Sequence, residues 1–175
     1  VTMSNVVIVN AKRSAIGKFL GSLSGLSSVD IGSSVLNSLI ESSKIQKSEV
    51  DEVIMGQVLT GGHGQNPARQ TMMLSGIPYE KSAVTINQVC GSGLRAIAIG
   101  TQSILSGQSE IVIAGGQESM SNSHHTANIR NGIKMGDGSL KDSMIVDGLW
   151  CAMNDYHMGT TAENIAEKYK ISKED

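Results

Sequence analysis

Cys90 is the residue best placed to do chemistry. It follows Ala83-Val84-Thr85-Ile86-Asn87-Gln88-Val89, which reads as a short buried strand. After it come Gly91-Ser92-Gly93 and then Leu94-Arg95-Ala96-Ile97-Ala98-Ile99, a stretch of helical character. A cysteine at a strand-to-helix junction lies at the positive end of the helix dipole, among backbone N–H groups that lack intrahelical partners. That setting favours thiolate over thiol, and the thiolate is the nucleophile. The small residues that follow leave room for a substrate to approach. Free cysteines are also often small buried hydrophobes, so the local sequence leaves both roles open. Cys151, within Leu149-Trp150-Cys151-Ala152-Met153, has neither the glycine collar nor the strand-to-helix turn and is expected to pack in the core.

Other residue types narrow the chemistry. A cysteine hydrolase needs a positioned histidine, and His63, His124, His125 and His157 are present, but none lies in a recognisable protease context. Gly61-Gly62-His63-Gly64 and Gly115-Gly116-Gln117-Glu118 lack the G-x-G-x-x-G spacing of a dinucleotide fingerprint. His124, His125, Arg130, Lys134 and Lys141 are interleaved with Asp137, Asp142 and Asp147. Such a mixture is either an ordinary solvated surface or a partly basic flap near an anionic ligand or an assembly contact.

The elements that must position Cys90 follow from hydrophobic patterning. Val6-Val7-Ile8-Val9 is a continuous β-branched run, the mark of a strand buried on both faces. Ile31, Val35, Leu36, Leu39 and Ile40 recur at helical spacing from Asp30 to about Ser43, with Asp30 or Ser28 as the cap. A second strand is expected at Val53-Ile54-Met55, and Asn66-Pro67 opens a helix running to Gly76. The helix after Cys90 ends near Gly107, and a fourth strand covers Ile111 to Ala114. Short strands alternating with helices predict an α/β fold with parallel pairing. Gln117 to Gly148 carries little periodicity, and helical spacing returns from Thr161 to Tyr169. Ser172 and Asp175 have the spacing of a capping box for a helix that does not follow, which suggests a chain cut from something longer.

Composition excludes several classes. A net charge of −2 gives no electrostatic case for nucleic acid. The longest clean apolar run, Ile111-Val112-Ile113-Ala114, falls far short of a membrane span, and the opening residues carry no signal pattern. Two cysteines far apart fit a reduced compartment, with the cytoplasm as the default.

Together the motifs resemble the thiolases. Asn87-Gln88-Val89-Cys90-Gly91-Ser92-Gly93-Leu94-Arg95-Ala96 is similar to that family's nucleophile motif. Asn66-Pro67-Ala68-Arg69-Gln70, Gly115-Gly116-Gln117-Glu118-Ser119-Met120-Ser121, Tyr156-His157-Met158-Gly159-Thr160-Thr161-Ala162-Glu163-Asn164 and the opening Val6 to Gly17 segment agree with it in order. The His157-Met158 pair most resembles the acetyl-CoA acetyltransferase branch.

The resemblance implies an α/β fold, the N-terminal half of a five-layered αβαβα architecture plus the start of a loop domain. It divides the chain into an α/β domain at 1–118 and the beginning of a CoA-facing, tetramer-forming loop domain at 119–175. The implied reaction is the reversible Claisen condensation of two acetyl-CoA to acetoacetyl-CoA and CoA, with CoA thioesters as substrates and no cofactor or metal. Cys90 would be the acylated nucleophile, and Leu149, His157 and Met158 would line the pantetheine and acyl pocket. A homo-oligomer, dimer or tetramer, would be the partner, with no nucleic acid and no membrane. The family's base and second cysteine match no residue of this chain, so these residues by themselves are expected to be inactive. Rival readings are a 3-ketoacyl-CoA thiolase of broader chain length, a non-catalytic assembly or CoA-binding half-thiolase, and a cysteine hydrolase.

Overall fold

The computed structural model describes residues 6–174, which fall into two compact units divided between Asn122 and Ser123. Asp175, the acidic end of the expected capping box, lies outside the described residues.

In the first unit α1 (Ser28–Ser43) precedes β1 (Glu52–Gly56), α2 (Pro67–Leu74), β2 (Ser82–Ile86), α3 (Ser92–Leu105) and β3 (Val112–Gly116). The three strands form a parallel sheet ordered β2-β1-β3. β1 is central and its alternation sorts the layers. Val53 and Met55 join Leu36 and Ile40 of α1, Ala68 and Met72 of α2, and Ile113 in one buried cluster. Gly56 and Glu52, of the opposite parity, meet α3 through Ser92 and Ser103. The unit is thus a three-layer α/β/α sandwich.

Local chemistry accounts for the helix starts. Ser27, not Asp30 or Ser28, caps α1: its hydroxyl accepts from the Asp30 amide while the Asp30 carboxylate accepts from the Ser27 amide. The Ser27 hydroxyl also donates to the Asp30 carboxylate at 2.7 Å, and that bond, followed by the one from the Ser27 amide, holds the Asp30 carboxyl below its usual range. Asn66 caps α2 ahead of Pro67 as the sequence predicts, and its carboxamide also donates to the Ala83 carbonyl at 3.0 Å. Arg69 is spent on structure, its guanidinium donating to the carbonyls of Lys81 and Tyr79.

Two strand expectations are corrected. Val6-Val7-Ile8-Val9 forms no strand, and Val7, Ile8 and Val9 are 70, 79 and 80% exposed. A doubly buried strand needs ladder partners on a sheet, and β-branched composition does not supply them. The strand before Cys90 ends at Ile86, because Asn87 to Val89 turn instead of continuing the ladder.

In the second unit β4 (His125–Thr126) pairs antiparallel with β5 (Lys141–Asp142), closing a long loop at its base. A single π-helical turn (Met144–Leu149) leads into β6 (Trp150–Cys151), which pairs antiparallel with β7 (Tyr156–His157), and α4 (Met158–Tyr169) follows. Within that ladder His125 Nε2 lies 3.9 Å from Asp142 Oδ2.

Candidate active site

Cys90 is exposed and sits two residues before α3, on a sharp turn between β2 and that helix. The turn depends on Val89, whose φ is +50°. A β-branched residue in the left-handed region is a genuine outlier, costing about 1–3 kcal/mol unless the surroundings over-determine it. Here they do. The Val89 amide donates to Asn87 Oδ1 at 2.8 Å, and the Val89 carbonyl accepts from the Ser92 hydroxyl at 2.6 Å and the Ser92 amide at 3.1 Å. The Ser92 hydroxyl also accepts from the Gln88 amide at 2.8 Å, and the Gly91 amide donates to the Gln88 carbonyl at 3.1 Å.

These bonds qualify the helix-end argument. The amides of Gly91 and Ser92, which the sequence offers to the thiolate, close the turn instead. The helix end still lies beside the thiol, but its first donors hold the loop's shape.

A glycine trio lets the start of α3 descend onto the sheet. A Cβ on Gly56 would lie 2.5 Å from the Ser92 carbonyl carbon, 2.6 Å from Ser92 Cβ and 2.7 Å from the Gly93 nitrogen. Gly116 faces Gly93 in turn, its would-be Cβ 3.4 Å from the Gly93 Cα. Gly56 has no motif around it to announce this role, and only the fold reveals it.

Behind the turn lies a buried amide network. Gln117 Nε2 donates to Gln57 Oε1 at 3.0 Å, Gln57 Nε2 donates to the Leu59 carbonyl at 3.0 Å, and the Thr71 hydroxyl donates to Gln117 Oε1 at 2.7 Å. The Gln117 amide meets the Gly56 carbonyl at 2.9 Å, extending the β1–β3 ladder by one bond. Glu118 comes next. Its carboxylate accepts from the Val58 amide at 2.8 Å and the Leu59 amide at 3.2 Å. Burial pushes its pKa up, and those two donors pull against the shift.

Cys151 is buried, as expected, and its sulfur is hydrogen-bonded. Asn154 Nδ2 donates to its sulfur at 3.2 Å, and that bond is the largest cause holding the Cys151 thiol below its usual range. Exposure distinguishes the two thiols: Cys90 is exposed and Cys151 is buried.

Leu149, His157 and Met158 are brought together by the β6–β7 hairpin of the second unit. Leu149 precedes Trp150, Trp150 is the cross-strand partner of His157, and Met158 opens α4. His157 caps that helix, its Nδ1 accepting from the Gly159 amide at 2.9 Å. In the neutral ring the proton then sits on Nε2, which is left as a donor on an exposed side chain. Among the described residues no group of His, Cys, Asp and Glu could hold a metal.

Comparison with known proteins decides the family. The family model described as "Thiolase, N-terminal domain" matches residues 6–175. The chain belongs to the thiolase family. It is 58% identical to an acetyl-CoA acetyltransferase of Allochromatium vinosum, over 97% of this chain and 43% of that relative. It is 51% identical to an acetyl-CoA acetyltransferase of Pseudomonas aeruginosa, over 99% of this chain and 44% of the relative. A probable acetyl-CoA acetyltransferase of Escherichia coli is 53% identical over 98% of this chain and 44% of the relative. The chain thus spans less than half the length of these thiolases. The α/β sandwich with Cys90 at its strand-to-helix turn is the thiolase N-terminal domain seen from its own residues.

Proposed function

We propose that the protein is an acetyl-CoA C-acetyltransferase, acting through an acyl-enzyme on Cys90. In the thiolytic direction the Cys90 thiolate attacks the 3-keto carbon of acetoacetyl-CoA. The bond between C2 and C3 breaks, the acetyl group stays on sulfur, and the acetyl-CoA enolate takes a proton. The thiol of a second CoA then takes the acetyl group and returns the thiolate, splitting one difficult transfer into two easier ones. Condensation is the reverse. No resident cofactor is needed, since the CoA thioester is itself the activated substrate.

The observation that carries this reading is an exposed cysteine on a turn held open by a left-handed valine, in a chain half identical to acetyl-CoA acetyltransferases. Leu149, His157 and Met158 are the proposed lining of the pantetheine and acyl pocket, with residues 119–175 opening the CoA-facing domain after an α/β domain at 1–118. The working protein is a homo-oligomer of the cytoplasm; no helix among the described residues is long and apolar enough to cross a membrane. Proton abstraction from the second acetyl group needs a general base, and we assign that role to none of the four histidines, so these residues by themselves should not complete the reaction.

The test is direct. Incubation of the intact protein with acetyl-CoA should place an acetyl group on the Cys90 peptide, read by mass spectrometry, and Cys90→Ser should abolish it. Acylation by a peptide ester but not by acetyl-CoA would overturn the proposal in favour of a hydrolase. Thiolysis of acetoacetyl-CoA by the 175-residue segment would overturn its expected inactivity.

A further inference from the structure

Val89 needs an external reason to stay left-handed. Ser92 holds its carbonyl from within the turn, but the Val89 amide is held by Asn87, and Asn87 must itself be oriented. Its carboxamide has a donor side and an acceptor side, and the two neighbours fix which is which. Oδ1 faces the Val89 amide at 2.8 Å, while Nδ2 reaches the Val58 carbonyl at 3.5 Å, the longest span in the chain of contacts. The Val58 carbonyl and the Leu59 amide belong to one peptide plane. That plane is fixed from its other side, because Glu118 accepts from the Leu59 amide and also from the amide of Val58. A carboxylate gripping two successive amides can hold the peptide in one orientation, with its carbonyl turned toward Asn87.

We infer that Glu118 and Asn87 are positioning residues for the Cys90 thiol, linked through the Val58–Leu59 peptide to the left-handed Val89. Neither touches the reacting sulfur in this scheme. Glu118 fixes the peptide, the peptide fixes the Asn87 carboxamide, and the carboxamide holds the Val89 amide so that Cys90 faces solvent beside the start of α3. An aspartate at 87 would lack the donor for Val58, and an aliphatic residue would lack both groups. The inference rests on the thiolase reading only in taking Cys90 as the nucleophile.

The experiment measures alkylation of Cys90 by iodoacetamide against pH in the intact protein, by peptide mass spectrometry, with Cys151 of the same molecules as reference. Asn87→Ala and Glu118→Gln should each change the pH profile of Cys90 alkylation and slow it at neutral pH roughly two- to fivefold, the range a helix end is worth to a nearby charge. Because the contacts act in series, the double variant should be no slower than the slower single. Val89→Asn, which takes the left-handed conformation at less cost, should remove the sensitivity to Glu118→Gln. Ser103→Ala, which removes bonds to Glu52 and Ser109 at the far end of α3, should lower stability without moving the profile. Asn87→Ala leaves both Glu118 bonds in place and carries the test even where Glu118→Gln does not fold. Single variants with the wild-type Cys90 profile, or a double variant with multiplied effects, would overturn the inference. Failure of acetyl-CoA to acylate wild-type Cys90 would overturn the functional reading while leaving the alkylation result to decide this one.

Discussion

Replacing Gly56 by alanine is the sharpest perturbation of the frame beneath Cys90. The added Cβ would lie 2.5–2.7 Å from the Ser92 carbonyl carbon, Ser92 Cβ and the Gly93 nitrogen. Two of those three are backbone atoms at the first turn of α3, so no side-chain rotation relieves the clash. Relief requires α3 to lift from β1, and overpacking a close-packed interior costs about 1–3 kcal/mol. The upper part of that range applies, since the neighbour is main chain: about 2–3 kcal/mol, or roughly 30- to 140-fold in the folding equilibrium. Gly115→Ala is the matched control, because a Cβ there meets nothing within 4 Å. It should change stability by no more than about 0.5 kcal/mol. Urea unfolding followed by circular dichroism reads both, with the slope unchanged if the denatured state is unaffected. Cys90 alkylation should also slow in Gly56→Ala, because Ser92 closes the Val89 turn and would move with the helix. Equal midpoints for the two variants would refute the close-approach argument, whatever happened to the thiol.

Asp51 offers a pH test at the other end of the sheet. Its carboxylate accepts from the Glu110 amide at 2.8 Å and the Ile111 amide at 3.1 Å and pairs with Lys81 at 3.2 Å, and its pKa is lowered, chiefly by the Glu110 bond. A lowered folded-state pKa gives stability that is present above the ordinary value of 3.8 and lost as pH falls through the folded one. Asp51→Ala should therefore cost roughly 1–2 kcal/mol at neutral pH, with the gap closing in acid; a gap independent of pH would refute it. Asn154→Ala should move the pH profile of Cys151 alkylation upward and leave that of Cys90 in place, since the Asn154 bond is the largest cause of the Cys151 shift. An unmoved Cys151 profile would refute that assignment.

What the sequence discloses is what lies within a few residues of itself. The Asn66-Pro67 helix start, the apolar stripe of α1 and the small collar after Cys90 are local patterns, and all appear where expected. Ser27 caps α1 in place of Ser28 or Asp30 because all three offer competing oxygens, and only geometry chooses among them. The Val6–Val9 run forms no strand for a different reason. A β-branched run reports a preference for pleated, buried surroundings, but pairing is decided by what lies alongside. Glu118 was legible as part of a motif but not as a clamp, since its partners Val58 and Leu59 lie some 60 residues earlier. Gly56 gave no signal at all, because its role is the absence of a side chain at a contact the fold creates.

The residues around Cys90 read differently once the turn is known. Asn87, three before the thiol, supplies an oxygen for the Val89 amide; Ser92, two after it, supplies a hydroxyl for the Val89 carbonyl. Both amide and carbonyl of one strained residue are therefore held by side chains from opposite flanks of the cysteine. Gly93 needs no side chain because Gly56 and Gly116 approach it closely. A left-handed glycine at 89 would need none of this support, but it would also leave the turn free to relax. A valine held from both sides cannot relax without breaking several bonds together, so the turn holds the thiol in a single presentation. The strain at Val89 and the hydrogen bonds that offset it form one device, and its two halves are encoded on either side of Cys90.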